Sequence, residues 1–287
     1  MTKDLTLAAA AACKRLKFRF PYEISNWIFS MGMMVENYHK HTSWSNIIQT
    51  DSATGLIEFM RKSAEYGCTC CFSGEHGYQG QWLYVYHLCR ESQDKEFLKR
   101  NQLSSPLRFR YSTEAYWVKD RTAKDRMNCH IVIVARNYHA IRKLNYILTL
   151  AHGEGFYGKP RIDLELLFML SPEDVYVTSA CIAGWKYEDA AEMWYQIWQH
   201  FKDSFFLEYQ AHNTEEQQKL NEKIYCMAKQ YGMQTIVGMD THYIDEEDRV
   251  KRENLLLRKK LSGNSQKGWF MDFPDGKTVY RRMKEQG

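Results

Sequence analysis

The sequence has 287 residues, of which 44% are hydrophobic and 26% charged, with 5 Pro and 16 Gly. That balance excludes a collagen-like or mainly disordered chain and suits one large domain or one and a half ordinary ones. No apolar run of about 18 residues is present, so no membrane-spanning helix is expected. The net charge of +4 is too mild to demand a nucleic-acid partner, but it is uneven. From Arg249 to the end there are 11 Lys or Arg against 4 Asp or Glu. Such a basic end suits either a phosphate-facing surface or a solvated helix face.

In chain order, residues 5–13 read L-T-L-A-A-A-A-A-C, faintly like a lipid-modified signal peptide. Lys3 and Asp4 precede the run, and Lys14, Arg15, Lys17 and Arg19 follow it at once, which makes a poor secretory signal. Residues 1–33 are read instead as an Ala-rich N-terminal extension, not native to the fold or poorly ordered. Met31, Met33 and Met34 offer later natural starts. Val35–His41 is short and extended. Ile57–Tyr66 has helical apolar spacing, with Gly67 as its stop. Cys68–Ser73 reads as a buried strand. A zinc knuckle needs C-x2-C spacing and a second such pair; Cys68 and Cys71 have the spacing but no second pair, so the cysteines are read as core thiols in a reducing cytosol.

Gln79–Cys89 reads as an amphipathic helix and Phe109–Val118 as an aromatic, alternating strand. Cys129–Ala135 is the clearest strand. Tyr138–Leu150 is helical, and Gly153–Arg161 is a glycine-rich loop. Then come strand Val175–Ser179, helix Tyr187–Phe201, strand Phe205–Tyr209, helix Thr214–Tyr231 stopped by Gly232, strand Gln234–Met239 and helix Glu246–Lys260. Residues 263–275 are polar and loop-like. The alternation predicts an α/β fold on a mainly parallel sheet with right-handed crossovers. About seven strand–helix steps favour a closed or nearly closed barrel over an open sheet.

Metal-ligand residue types recur at the strand ends. His39 and His41 close the first strand, Glu75 and His76 follow the second, and Glu114 lies in the third. His130 opens the fourth, Cys181 follows the fifth, and Asp240 and His242 follow the last. The H-x-H and D-x-H pairs have i, i+2 spacing, so in extended chain each pair points one way and can reach one ion. Residues at the C-terminal ends of barrel strands converge on one mouth. Taken singly each residue has a plainer reading: a core histidine, a strand carboxylate, a buried thiol. Their joint placement at strand boundaries is what points to a multi-metal site of imidazole, carboxylate and one thiolate. His87, His139, His152 and His200 fall on helical stretches without ligand partners and are read as structural; His212 stays open.

The stretches N-Y-H-K-H-T-S-W-S-N (37–46), G-E-H-G-Y-Q-G (74–80), E-A-Y-W-V-K-D (114–120) and N-C-H-I-V-I-V-A-R-N (128–137) carry a family resemblance. So do G-F-Y-G-K-P-R-I-D-L-E-L-L (155–167), T-S-A-C-I-A-G (178–184), F-F-L-E-Y-Q-A-H-N-T (205–214) and G-M-D-T-H-Y-I (238–244). Together they resemble the polymerase-and-histidinol-phosphatase (PHP) domain of bacterial DNA polymerase III alpha subunits, most closely the versions of phages and Gram-positive bacteria. K-P-R-I-D-L-E-L-L and S-A-C-I-A-G resemble the polymerase branch rather than histidinol phosphatases.

The resemblance implies a distorted seven-stranded (β/α) barrel over residues 34–250, with residues 251–287 as a basic lead-in to a polymerase region. It implies three divalent ions (Zn, Mn or Fe) held by His39, His41, His76, Glu114, His130, Cys181, Asp240 and His242. At the family's commonest position for one further ligand this chain has Ile48, which cannot ligate; Asp51 is the substitute, as in the phage-like versions. Glu75 stands where the family usually has Asp. The implied chemistry is phosphodiester hydrolysis, of 3′–5′ exonuclease type, at the 3′ end of single-stranded DNA beside the remainder of a cytoplasmic replicative polymerase. Lys40, Lys159 and Arg161 are candidates to steer phosphates towards the mouth, or are plain surface charges. No palm fits in the residues after His242, so no polymerisation by this chain alone is expected. Two other readings stay open: a non-catalytic, metal-stabilised scaffold that docks partners, and a small-molecule phosphatase of the same superfamily.

Overall fold

The computed structural model describes residues 35–261 and 268–286. The expectations for residues 1–33 and for 263–267 lie outside the described residues. Helix α1 (Leu56–Glu65) follows a short 3-10 turn at Ser43–Ile47. Then come β1 (Cys70–Phe72), α2 (Trp82–Glu91), α3 (Lys95–Asn101), β2 (Arg108–Arg110), β3 (Ser112–Trp117), β4 (Cys129–Ala135), α4 (Tyr138–His152), β5 (Arg161–Ile162), α5 (Leu164–Leu167) and β6 (Val175–Thr178). A 3-10 turn at Ile182–Trp185 leads to α6 (Ala190–Phe201), β7 (Phe205–Tyr209), α7 (Glu215–Tyr231), β8 (Gln234–Val237), α8 (Glu246–Arg258) and α9 (Gly276–Glu285). No described helix is long and apolar enough to cross a membrane.

The result is a mixed α/β fold on a parallel-rich sheet. Six strands run in the order β5-β3-β4-β6-β7-β8, and β1 pairs with β2. All pairs are parallel except that β4 is antiparallel to both β3 and β6. This departs from the expected uniform alternation. Residues 118–128, which join β3 to β4, contain no helix, and a parallel return needs a crossover of about a dozen residues or more. The expected single strand 109–118 is two strands broken at Tyr111, because β2 pairs with β1 and β3 with β4 and β5.

Two further bridges extend the strand order. Lys40 pairs in parallel with Thr241 just past β8, and His76 with Glu114. The Glu36 carboxylate accepts from the Thr69 and Cys70 amides, which ties the first extended segment to the start of β1.

The central strands β3 and β4 are buried along their whole length on both faces. In β4, Cys129, Ile131, Ile133 and Ala135 pack in the main core with Ala140, Leu144 and Ile147 of α4. Val132 and Val134 face the other way and pack with Tyr38, Cys70, Phe72 and Ala180. Burying such a side chain stabilises the fold by roughly 1.5–3 kcal/mol. His130 shares the parity of Val132, and Glu114 lies opposite Val132 across the β3–β4 ladder. The inward face therefore changes from apolar at one strand end to ionisable at the other.

The helices start and stop where local chemistry dictates. Asn137 caps α4 by accepting from the Ala140 amide, and Thr214 caps α7 by accepting from Gln217. Gly232 ends α7 in the left-handed conformation at φ 69°. α2 begins at Trp82 rather than Gln79, because Gln79 and Gln81 are committed elsewhere. Gln79 Nε2 donates to Ser112 O and Gln81 Nε2 to Ser73 O, bracing β1 against β3. α3 was not legible: Phe97 is the one residue it buries. α9 was not legible either. Its Val279 and Met283 join Phe273 in the main core, and Arg282 pairs with Asp272 at 2.7 Å.

Arg161 is a structural hub. Its guanidinium donates to the carbonyls of Gly155, Ala123, Asp125 and Arg121 at 2.7–2.8 Å. Arg161→Met should leave these carbonyls unsatisfied and cost on the order of 3 kcal/mol or more. Urea unfolding followed by circular dichroism measures it; a loss below about 1 kcal/mol would contradict the hub.

Candidate metal centre

The strand ends deliver their side chains to one buried cluster. Lys40 bridges to Thr241 through the backbone, so His39 and His41 on either side of it point the same way. Asp240, just past β8, adopts a left-handed backbone at φ 46°, and Ala180, just before Cys181, does so at φ 53°. For residues other than Gly this costs about 1–2 kcal/mol each. Both turns redirect the chain at the end of a parallel strand. The turn after Cys181 also packs tightly: a Cβ on Gly184 would sit 2.1 Å from Ser179 O.

Glu114 is the centre. Its Oε1 lies 2.8 Å from His130 Nδ1 and 3.2 Å from His39 Nε2. Its Oε2 lies 3.1 Å from His41 Nε2 and 2.9 Å from His76 Nδ1. Asp240 Oδ1 is 3.2 Å from His39 Nε2 and 3.3 Å from His41 Nε2. Asp51 Oδ2 is 2.7 Å from His76 Nε2 and 2.8 Å from His242 Nε2. Cys181 Sγ stands 3.6 Å from His130 Nδ1 and 3.9 Å from Glu114 Oε1. Three groups of ligand atoms each lie within 4.8 Å: His41, Asp51, His76 and His242; His39, His41 and Asp240; His76, Glu114 and His130. His41 and His76 belong to two groups each, and their rings stack at 4.0 Å.

The residues fit metal ions. His39 Nε2, His41 Nε2, His76 Nδ1 and Glu114 Oε2 are buried without a hydrogen-bond partner of good geometry. Ligands bound about 2.0–2.2 Å from a shared ion lie some 3 Å apart, which matches the spacings above. Burial alone would raise the Asp51 and Glu114 carboxyls and lower His39, His41 and His76. The opposite charges win, holding both carboxyls well below their usual range, His39 well above its own, His41 at about 10 and His76 raised. Burial pushes the Cys181 thiol well up, with Asp240 and Glu114 adding to it. Protons and metal ions therefore compete for this cluster.

Other residues orient the cluster. Glu208 lies at the inward parity of β7 and accepts from His39 Nδ1 at 2.7 Å, Tyr38 Oη at 2.9 Å and Thr178 Oγ1 at 2.7 Å. Sequence reasoning missed it; the available signal was a charged residue inside F-F-L-E-Y. Glu75 accepts from Thr42 and Ser45, and the Ser45 hydroxyl lies 3.3 Å from His41 Nδ1. Arg252, buried on α8, donates from Nε to Asp51 O and from Nη2 to Asp51 Oδ1. It too was not anticipated.

Two expected phosphate contacts turn away. The Lys40 ammonium is buried 5.4 Å from the Phe59 ring, on the face opposite His39 and His41. Arg161 is buried among the carbonyls described above. Lys159 is half-buried, its ammonium donating to Ile48 O, Gln49 Oε1 and Tyr116 Oη, with its pKa lowered by burial. His87 and His139 are exposed. His152 and His200 bond the carbonyls of Gly77 and Leu170. His212, left open by the sequence, is buried between Gln210 and the Phe270 amide.

Residues 37–212 match the family model of the PHP domain. The chain belongs to the PHP domain family. PHP domains bind metal ions, and the three groups here could hold them. The chain is 30% identical over 227 residues to the DNA polymerase III subunit alpha of Aquifex aeolicus, covering 76% of this chain and 19% of that protein. It is 25% identical over 248 residues to the same-named protein of Chlamydia trachomatis, again 76% and 19%. For Borreliella burgdorferi the match is 29% over 150 residues, 49% and 13%. The chain thus spans about a fifth or less of the length of these relatives.

Two outcomes are expected. Glu208→Gln should free the His39 ring and weaken metal binding on the order of 10–100-fold, measured by competition with a chromogenic chelator; unchanged affinity would remove Glu208 from the site's support. His212 is neutral when folded, since burial lowers its pKa to about 4. The unfolded chain therefore binds the extra proton as pH falls below about 6.5, and stability is lost from there down to about pH 4. Across that window the protein should lose up to about 3 kcal/mol more than His212→Gln in chemical denaturation. Parallel profiles would contradict this.

Proposed function

We propose that this chain is the PHP domain of a DNA polymerase III alpha-like replicative polymerase in the cytoplasm, and that it hydrolyses phosphodiesters at a trinuclear metal centre. The extended segments and strands 35–42, 68–77, 108–117, 129–135, 175–178, 205–209 and 234–241 would be the distorted seven-stranded (β/α) barrel of the family. Residues 34–250 would form that barrel and 251–287 lead into the polymerase region.

The observation that carries this reading is the overlap of three ligand groups through His41 and His76. Nine residues would share three Zn, Mn or Fe ions: His39, His41, Asp51, His76, Glu114, His130, Cys181, Asp240 and His242. A structural zinc site is normally closed by four protein ligands of its own; nine ligands over three ions leave positions for water and substrate. Such ions, when bound, supply hydroxide near neutral pH and clamp the oxygens of a phosphate. The chain's own part is to orient. Glu208 holds the His39 ring, Ser45 and Glu75 stand behind His41, and Arg252 holds Asp51. Lys159 would meet a phosphate of the 3′ end of single-stranded DNA by exchanging its bonds to Ile48, Gln49 and Tyr116 for it.

One observation favours the metal-braced scaffold instead: all nine residues are buried, none more than 8% exposed. Digestion of 3′-labelled single-stranded DNA separates the readings. The exonuclease reading expects metal-dependent shortening that falls at least about 100-fold in His39→Ala and Asp240→Ala. Bound metal without shortening, together with lowered thermal stability of the same variants, would leave the scaffold. Turnover of phosphomonoesters but not DNA would leave the small-molecule phosphatase.

A further inference from the structure

At the strand ends opposite the metal centre lies a cavity of about 430 Å³. That volume falls in the range of small-ligand sites, roughly 300–1,000 Å³. Its lining is unlike the centre's. It includes Phe109, Tyr111, Tyr176, Arg110 and Arg136, and no acidic residue.

The site is separate from the metal centre. Arg110 lies four residues before Glu114, and Val134, on the cavity wall, lies four residues after His130. At strand rise each interval is about 13 Å. Phe72, Val132 and Val134 pack in the apolar layer between.

The two arginines are set to receive an anion. Arg136 lies with its guanidinium carbon 4.6 Å from the Tyr176 ring, and its Nη1 donates to Pro172 O. Arg110 Nη1 donates to Phe109 O. Each has one nitrogen so anchored, while Nε and Nη2 have no protein acceptor among the described residues. A guanidinium fixed on an aromatic ring with an open edge matches the planar fork that binds phosphate or carboxylate. Tyr176, 41% exposed, and the half-buried Phe109 add aromatic surface against which a planar ring can pack. Asn137, also on the wall, caps the 15-residue helix α4, whose first amides add positive potential at the same place.

We infer that this cavity is a second binding site, distinct from the metal centre, for a planar aromatic anion of the nucleoside phosphate class. The nucleotide is either free or the 5′-terminal unit of a strand. The inference does not rest on hydrolysis at the metal centre.

Isothermal titration of the full chain with deoxyadenosine 5′-monophosphate in excess chelator removes the metal centre from the measurement. Saturable binding is expected. It should weaken at least ten-fold in Arg136→Gln and in Tyr176→Ala, both at exposed positions where substitution leaves the fold intact by circular dichroism. It should persist in His39→Ala. A 5′-phosphorylated oligothymidylate that binds more tightly than the mononucleotide identifies a strand end as the source; the reverse order identifies free nucleotide. No saturable binding, binding unchanged in both cavity variants, or displacement by inorganic phosphate as effectively as by nucleotide would overturn the inference.

Discussion

An ionised carboxylate buried away from water has to be compensated by charge brought to it, and Glu114 imposes that condition on the whole molecule. Its side chain is 2% exposed and meets four imidazoles from three separate chain segments. An uncompensated buried charge would cost several kcal/mol. The segments that supply compensation are far apart in sequence and come together only through the strand order. The fold and the cluster are therefore coupled in both directions: the strand order assembles the charges, and the charges hold the strand ends together.

The strands meet this condition by separating their two faces. One face of β3, β4, β6 and β7 is apolar and packs under helices. The other changes along its length, from the aromatic and aliphatic layer of Phe72, Val132 and Val134 to the imidazoles and carboxylates. The apolar layer keeps the two ends chemically distinct, with acids and imidazoles at one and arginines and aromatic rings at the other. Outside the cluster, Glu208, Glu75 and Arg252 fix its members in place. Arg252 also connects α8 to Asp51, so the basic C-terminal part of the chain is tied to the ligand groups through one guanidinium.

Much of this was legible before the structure. Cys129–Ala135 has the expected bounds because six apolar or small residues around a single His, flanked by polar ones, leave few alternatives. The Thr214 and Gly232 caps mark α7 for the same local reason. Elements without a strong local signal were missed. α3 buries one side chain, α9 looks like a charged tail until Val279 and Met283 meet the core, and β2 and β3 read as one strand because partner strands alone divide them. Lys40 and Arg161 were placed at the mouth on charge type, yet their direction depends on backbone pairing and on which carbonyls lie within reach.

The sequence by itself determined the candidate ligand types, their i, i+2 spacing and their places at strand ends, since those follow from residue identity and the two-residue period of extended chain. Tertiary structure alone decided which residues share a group, why Asp51 joins His76 and His242, and that Glu208 and Arg252 stand behind them. Those relations depend on strand order and on the left-handed turns at Ala180 and Asp240. They are long-range geometry, which local spacing does not encode.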